Sequence, residues 1–206
     1  MALKGNNLGF YYNENKWLFR NLNIELSYGE ILGISGYSGS GKTSLSRILS
    51  NYIKPIEGFV EIDGKHFTKR EVQPVQLIYQ HPEKAINPKW RMKEVLRESY
   101  EPDDDILDRF GIRKEWLSRY PIELSGGELQ RFCIVRALNP KTKYIIADEM
   151  TTMLDAVNQT SIWKELLNIC KERKIGIAVI SHEPALLSRL CDRIISLNVS
   201  VKKIGA

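Results

Sequence analysis

The sequence predicts an α/β fold: a mostly parallel sheet with flanking helices, an antiparallel N-terminal β flank and an inserted helical subdomain. Apolar runs rich in Ile, Val and Leu recur over 30–35, 75–79, 144–147, 176–180 and 193–197. Several are continuously apolar rather than alternating, and segments of helical spacing lie between them, as a parallel sheet buried on both faces requires. Between 80 and 125 the strand pattern stops and helical spacing takes over.

Taken in order, shorter strand candidates lie over 3–10, 22–26 and 58–62, separated by turns bearing Asn and Gly, and these form the antiparallel flank. A helical pattern over 44–51 follows the strand at 30–35. Met92, Val95 and Leu96, then Ile106, Leu107 and Phe110, then Trp116 and Leu117 carry the helical spacing. They place the helical subdomain at 81–138, between core segments 1–80 and 139–206 of one domain. The acidic run Glu101-Pro102-Asp103-Asp104-Asp105 reads as a loop and a solvated helix start, because Pro and Asp suit a first turn.

At 206 residues the chain is long enough to bury a substantial core, which excludes a small disulfide-stapled scaffold. Thirty basic against 25 acidic residues leave a net charge of +5, which favours anionic partners but is too small to indicate nucleic-acid binding. The apolar runs are far shorter than the roughly 20 residues that span a bilayer. The opening Met-Ala-Leu-Lys-Gly-Asn-Asn lacks the basic segment and apolar stretch of a secretory signal, so the chain is expected in the cytoplasm. Cys133, Cys170 and Cys191 are odd in number and far apart, and are expected to be buried, reduced thiols.

Directly after the strand at 30–35 stands Gly36-Tyr37-Ser38-Gly39-Ser40-Gly41-Lys42-Thr43, a full GxxxxGK[ST] between strand and helix. Its glycines let successive N–H groups turn inward onto phosphate oxygens. Lys42 adds a point charge at the β and γ phosphates, Thr43 offers a hydroxyl to Mg²⁺, and the helix start adds about half a positive charge. Tyr144-Ile145-Ile146-Ala147-Asp148-Glu149 places two carboxylates at a strand end, where ligands sit in open α/β sheets. Asp148 suits the Mg²⁺ shell and Glu149 suits polarising a water for in-line attack. These two motifs make the core that of a P-loop NTPase.

Leu124-Ser125-Gly126-Gly127-Glu128-Leu129-Gln130-Arg131, ahead of that carboxylate pair, resembles the LSGGQ signature of the ATP-binding cassette (ABC) proteins. The resemblance spans about residues 3 to 197 and implies the family's other elements. Tyr12 matches the aromatic that stacks on adenine, with Tyr11 as the alternative. Gln80 matches the Q-loop glutamine, Leu154-Asp155 the D-loop, and His182 the switch histidine, whereas His66 and His81 read as surface residues. The resemblance thus implies ATP held by Tyr12, Gly36, Ser38, Gly39, Ser40, Gly41, Lys42, Thr43 and Ser44, and by Ser125, Gly126 and Gly127. It implies Mg²⁺ at Thr43, Gln80 and Asp148, and catalysis by Glu149, His182 and Gln80.

The stretch from Gln80-His81-Pro82 to Asn87-Pro88-Lys89-Trp90 is similar to the Q-loop of the peptide and nickel permease ATPases. Tyr37, Met150 and Thr152-Met153 depart from that group's pattern. Only 24 residues follow His182, fewer than the C-terminal extension common there, which leaves peptide, nickel and metal chelate open as ligands. The resemblance implies an ATP-hydrolysing importer subunit at the cytoplasmic face of the membrane. Its partners would be a second, non-identical ATPase subunit, two transmembrane permeases with Trp90 and Met92 near the contact, and indirectly an extracytoplasmic solute-binding protein. No nucleic acid is expected. The alternative is a non-transport ABC protein acting as accessory ATPase or scaffold in a soluble complex. A P-loop GTPase or kinase lacks the LSGG segment and the histidine.

Overall fold

The computed structural model describes residues 1–14, 16–66, 73–152 and 154–197. Two long strands open the chain, β1 (Ala2–Asn13) and β2 (Lys16–Ser27), followed by β3 (Ile31–Ser35), α1 (Lys42–Leu49), β4 (Glu57–Ile62), β5 (Lys65–His66) and β6 (Val75–Ile78). Helices α2 (Met92–Arg97), α3 (Asp104–Arg109) and α4 (Gly126–Ala137) come next, with short 3₁₀ turns among them. The chain then forms β7 (Tyr144–Asp148), α5 (Ala156–Arg173), β8 (Gly176–Ile180), α6 (Pro184–Leu190) and β9 (Arg193–Ser196).

Two sheets result. The first is antiparallel in the order β2-β1-β4-β5, and the second is parallel in the order β6-β7-β8-β3-β9. Because side chains alternate across a strand, each apolar run of the parallel sheet feeds two cores at once. Tyr144, Ile146, Ala178, Ile180, Leu32 and Ile34 pack with α1 and the antiparallel sheet. Ile145, Ala147, Ile177 and Val179 pack on the other face with α4, α5 and the helical segment after β6. This double burial is why the strands read as unbroken apolar runs.

The parallel register brings the carboxyl ends of β3, β6, β7 and β8 to one edge of the sheet. The residues that follow them there are Gly36, Tyr79-Gln80, Glu149 and Ser181-His182. Topology thus gathers four segments distant in sequence.

Some expectations shift. The hairpin is far longer than the runs over 3–10 and 22–26, because bulges let it continue past polar residues. Asn7 and Asn21 sit at φ of 49° and 54°, a left-handed conformation that Asn tolerates. Helix α1 begins at Lys42, two residues before the predicted start, so the lysine and Thr43 belong to its first turn. The acidic run behaves as expected: Asp103 caps α3, accepting from the Ile106 N–H at 2.9 Å. Cys133 and Cys170 are buried, but Cys191 lies on α6's exit and is partly exposed. Met92 is fully buried among the helices and offers no partner surface, whereas Trp90 is 37% exposed. Met153 and residues 198–206 lie outside the described residues.

Candidate functional site

The loop between β3 and α1 lines a cleft of about 750 Å³, together with residues from the other strand ends. Gly41 stands at the N-cap of α1 with φ 93°, which a side chain would strain, and no side chain caps the helix. The first-turn amides are therefore left for a ligand, and the helix start contributes its positive pole. Lys42 is 6% exposed, and its Nζ donates to the Gly36 and Tyr37 carbonyls at 2.7 and 3.1 Å. Gly36, Ser38, Gly39, Gly41, Thr43 and Ser44 also line the cleft. The Ser44 hydroxyl donates to the Tyr12 hydroxyl at 3.2 Å, which places that exposed ring at the cleft mouth.

A carboxylate centre faces this loop. Glu149 follows β7 at φ 48°, a left-handed conformation uncommon for Glu, held by its N–H donating to the Ile180 carbonyl at 3.0 Å. Its Oε1 lies 3.2 Å from His182 Nδ1 and 3.9 Å from Lys42 Nζ, and its Oε2 accepts from Gln80 Nε2 at 3.3 Å. Thr152 adds a hydroxyl 3.5 Å from the same Gln80 nitrogen. A cation, an amide, an imidazole and a carboxylate thus converge on the space above the loop, an arrangement suited to orienting a water against an anion.

Asp148 lies behind that space, 4% exposed, with its Oδ2 accepting from the Ser46 hydroxyl at 3.0 Å. Burial pushes its pKa up, and hydrogen bonds from the Ser46 and Thr43 hydroxyls oppose the shift.

A second cleft, of about 720 Å³, opens at the start of α4 and is lined by Ser125, Gly126 and Gly127 with Asp155 and Asn158. Here the helix caps itself. Ser125 Oγ accepts from the Glu128 N–H at 3.3 Å, and Glu128 Oε2 accepts from the Ser125 N–H at 2.8 Å. Gly127 packs so tightly on Leu154 that a Cβ would come within 2.8 Å of its Cδ2, which explains the glycine without any ligand.

The predicted residues therefore fall into two groups. Tyr12, Gly36, Ser38, Gly39, Gly41, Lys42, Thr43, Ser44, Gln80, Glu149 and His182 share the first cleft. Ser125, Gly126 and Gly127 line the second. Ser40 does not line either: its N–H donates to the Tyr37 carbonyl at 3.1 Å and its hydroxyl is buried. Asp148 reaches the cleft only through the hydroxyls beside it. Tyr11 stacks edge-on with Trp17 at 4.8 Å and is absent from the cleft, so the geometry favours Tyr12. His66 is exposed, and the His81 side chain is 41% exposed. Sequence reasoning missed Leu18, Ser46 and Thr152. Ser46 was readable as the residue one turn beyond Thr43 on α1, whereas nothing local marks Leu18.

A family model described as ABC transporter matches residues 19–152. The nickel import system ATP-binding protein NikE of Staphylococcus aureus (strain bovine RF122 / ET3-1) is 32% identical, over 91% of this chain and 83% of its own. Among solved structures, an ATP-binding subunit of an ABC transporter superposes with a TM-score of 0.83 at 21% identity, covering 96% of this chain and 86% of its own. A dimeric post-hydrolysis ATP-binding cassette bound to ADP and Pi superposes at 0.81 with 25% identity, over 95% and 94%. With the family match covering more than half of its length and the relative nearly all of it, this chain belongs to the ABC transporter family, as one of its ATP-binding subunits.

Proposed function

We propose that this chain is the ATP-hydrolysing subunit of an ABC importer of the peptide, nickel and metal-chelate class, with Glu149 as the group that orients water. One observation carries the reading of the site: the Glu149 carboxylate sits between Gln80, His182 and Lys42 directly over the phosphate loop. In this reading Lys42 supplies its charge to the β and γ phosphates, the α1 amides hold phosphate oxygens, and Tyr12 covers the adenine. Glu149 draws a proton from water lined up on the γ phosphate, and His182 and Gln80 fix the carboxylate's orientation.

The residues also suit Mg²⁺. Thr43 lines the cleft, and its hydroxyl hydrogen-bonds to Asp148 behind it, a carboxylate held buried against its preference for water. Gln80 supplies a third oxygen donor at the cleft. A bound Mg²⁺ would offset charge building on the phosphates. Asp148 would orient what surrounds the ion rather than touch the nucleotide.

ABC subunits work with membrane permeases, and among the described residues no helix is long and apolar enough to cross a membrane. The finer assembly is a second, non-identical ATPase subunit whose signature faces this phosphate loop, with two permeases at the cytoplasmic face and a solute-binding protein beyond them. Supporting it, Ser125 to Gly127 open on a different cleft from Lys42. A nickel or chelated-nickel cargo draws support from the named role of NikE.

The test is Glu149→Gln in the assembled complex. ATP affinity stays within about twofold of the parent, and turnover falls by roughly 100-fold or more, the scale for losing a general base. Parental turnover would remove Glu149 from this role.

A further inference from the structure

We propose that Gln130 is a positioning residue which ties the start of α4 to the Gln80 arm of the carboxylate centre, linking the two clefts of one chain. The inference rests on the reading of Gln80 and Glu149 given above. Gln130 lies on α4, 1% exposed, and its Nε2 donates to the Tyr79 carbonyl at 3.2 Å. Tyr79 directly precedes Gln80, whose own amide reaches Glu149 at 3.3 Å. The other amide atom, Gln130 Oε1, is buried with no hydrogen-bond partner among the described residues. A Met would fill that space without an unpaired oxygen, so packing alone does not account for an amide here.

The neighbouring side chain holds the start of α5 at the second cleft. Arg131 Nη2 donates to Asn158 Oδ1 at 2.7 Å, and Asn158 Nδ2 donates to Asp155 Oδ2 at 2.5 Å, in the segment that follows Glu149. Two consecutive residues of one helix thus hold the segment leading into Gln80 and the start of α5 at the second cleft. A helix moves as a rod, and Gln130 lies about a turn and a half beyond Ser125. Whatever engages the Ser125 end therefore shifts Tyr79, and with it the distance between Gln80 and Glu149.

The experiment compares Q130M, Q80A and the double variant, measuring kcat and KM in the assembled complex and ATP affinity by calorimetry, with thermal melting as the folding control. Q130M lowers kcat roughly 10-fold, as for a slight misplacement of reacting groups, while ATP affinity stays within about twofold. The double variant is no slower than Q80A, because the strut acts through Gln80. Q130E, which presents an acceptor to the Tyr79 carbonyl, loses at least as much. Parental kcat in Q130M, or losses that multiply in the double variant, would overturn the proposal. If Q80A itself turns over at the parental rate, the reading of the site fails and the strut fails with it.

Discussion

Two helix starts in this molecule open on clefts of similar size, and they treat their free amides in opposite ways. At α1 the N-cap is Gly41 at φ 93°, no side chain accepts from the first turn, and the first turn carries Lys42 with no acid. At α4 the cap is Ser125, whose hydroxyl and backbone are closed into a reciprocal pair with Glu128, and that glutamate places a carboxylate in the first turn. The same local element is therefore receptive to an anion in one place and largely self-satisfied in the other. Polar side chains differ between the two clefts as well. Lys42, Gln80, Glu149 and His182 gather at the first cleft, whereas the second holds Arg113 and Arg131 beside Asp155 and Glu128. The phosphate loop should thus bind nucleotide by itself, and the α4 start should contribute once a partner's phosphates reach it.

Substitutions at the two clefts can break or sharpen that contrast. The largest effect is expected from Lys42→Ala, which removes the fixed charge aimed at the phosphates. Calorimetry on the folded variant should show ATP affinity weakened by about 100-fold, as for losing one to two charge-assisted hydrogen bonds. His182→Ala comes next. It removes the imidazole 3.2 Å from Glu149, so steady-state kinetics should show kcat roughly 10-fold lower with KM little changed. Glu128→Ala is the smallest. It opens the α4 capping pair and costs about 1 kcal/mol, read as a melting temperature lower by about 2–4 °C with ATP affinity at the phosphate loop unchanged. A change of affinity there would show that nucleotide binding at the phosphate loop depends on the α4 cap.

Much of this was legible in the sequence because it rests on local rules. The unbroken apolar runs before Gly36 and Asp148 announced buried parallel strands, and the spacing of Gly36, Gly41 and Lys42 announced the phosphate loop. Asp103 announced a helix start by its own capping chemistry. What was not legible depends on distant contacts. The strand candidates over 3–10 and 22–26 fell short of the hairpin, because long pairing across β1 and β2 accommodates the left-handed Asn7 and Asn21 at irregularities in the register. Ser40 carries the right residue type in the right motif, and only the turn back to Tyr37 takes its amide away from the cleft. Asp148 reads as a ligand from its strand-end position, yet the packing of α1 on β7 covers it with the Ser46 hydroxyl. The role proposed for Gln130 rests on a carbonyl 51 residues away.

The central claim, that the first cleft binds nucleotide by itself while the second serves turnover, is tested most directly by Ser125→Arg. This substitution adds bulk and charge at the α4 start while leaving every residue of the phosphate cleft in place. Calorimetry and turnover should be measured on the same preparation, the latter in the assembled complex. The account predicts ATP affinity within about twofold of the parent and turnover lower by roughly 100-fold, the scale for losing a donor to developing charge. Parental turnover, or a loss of ATP affinity in the isolated chain, would contradict it.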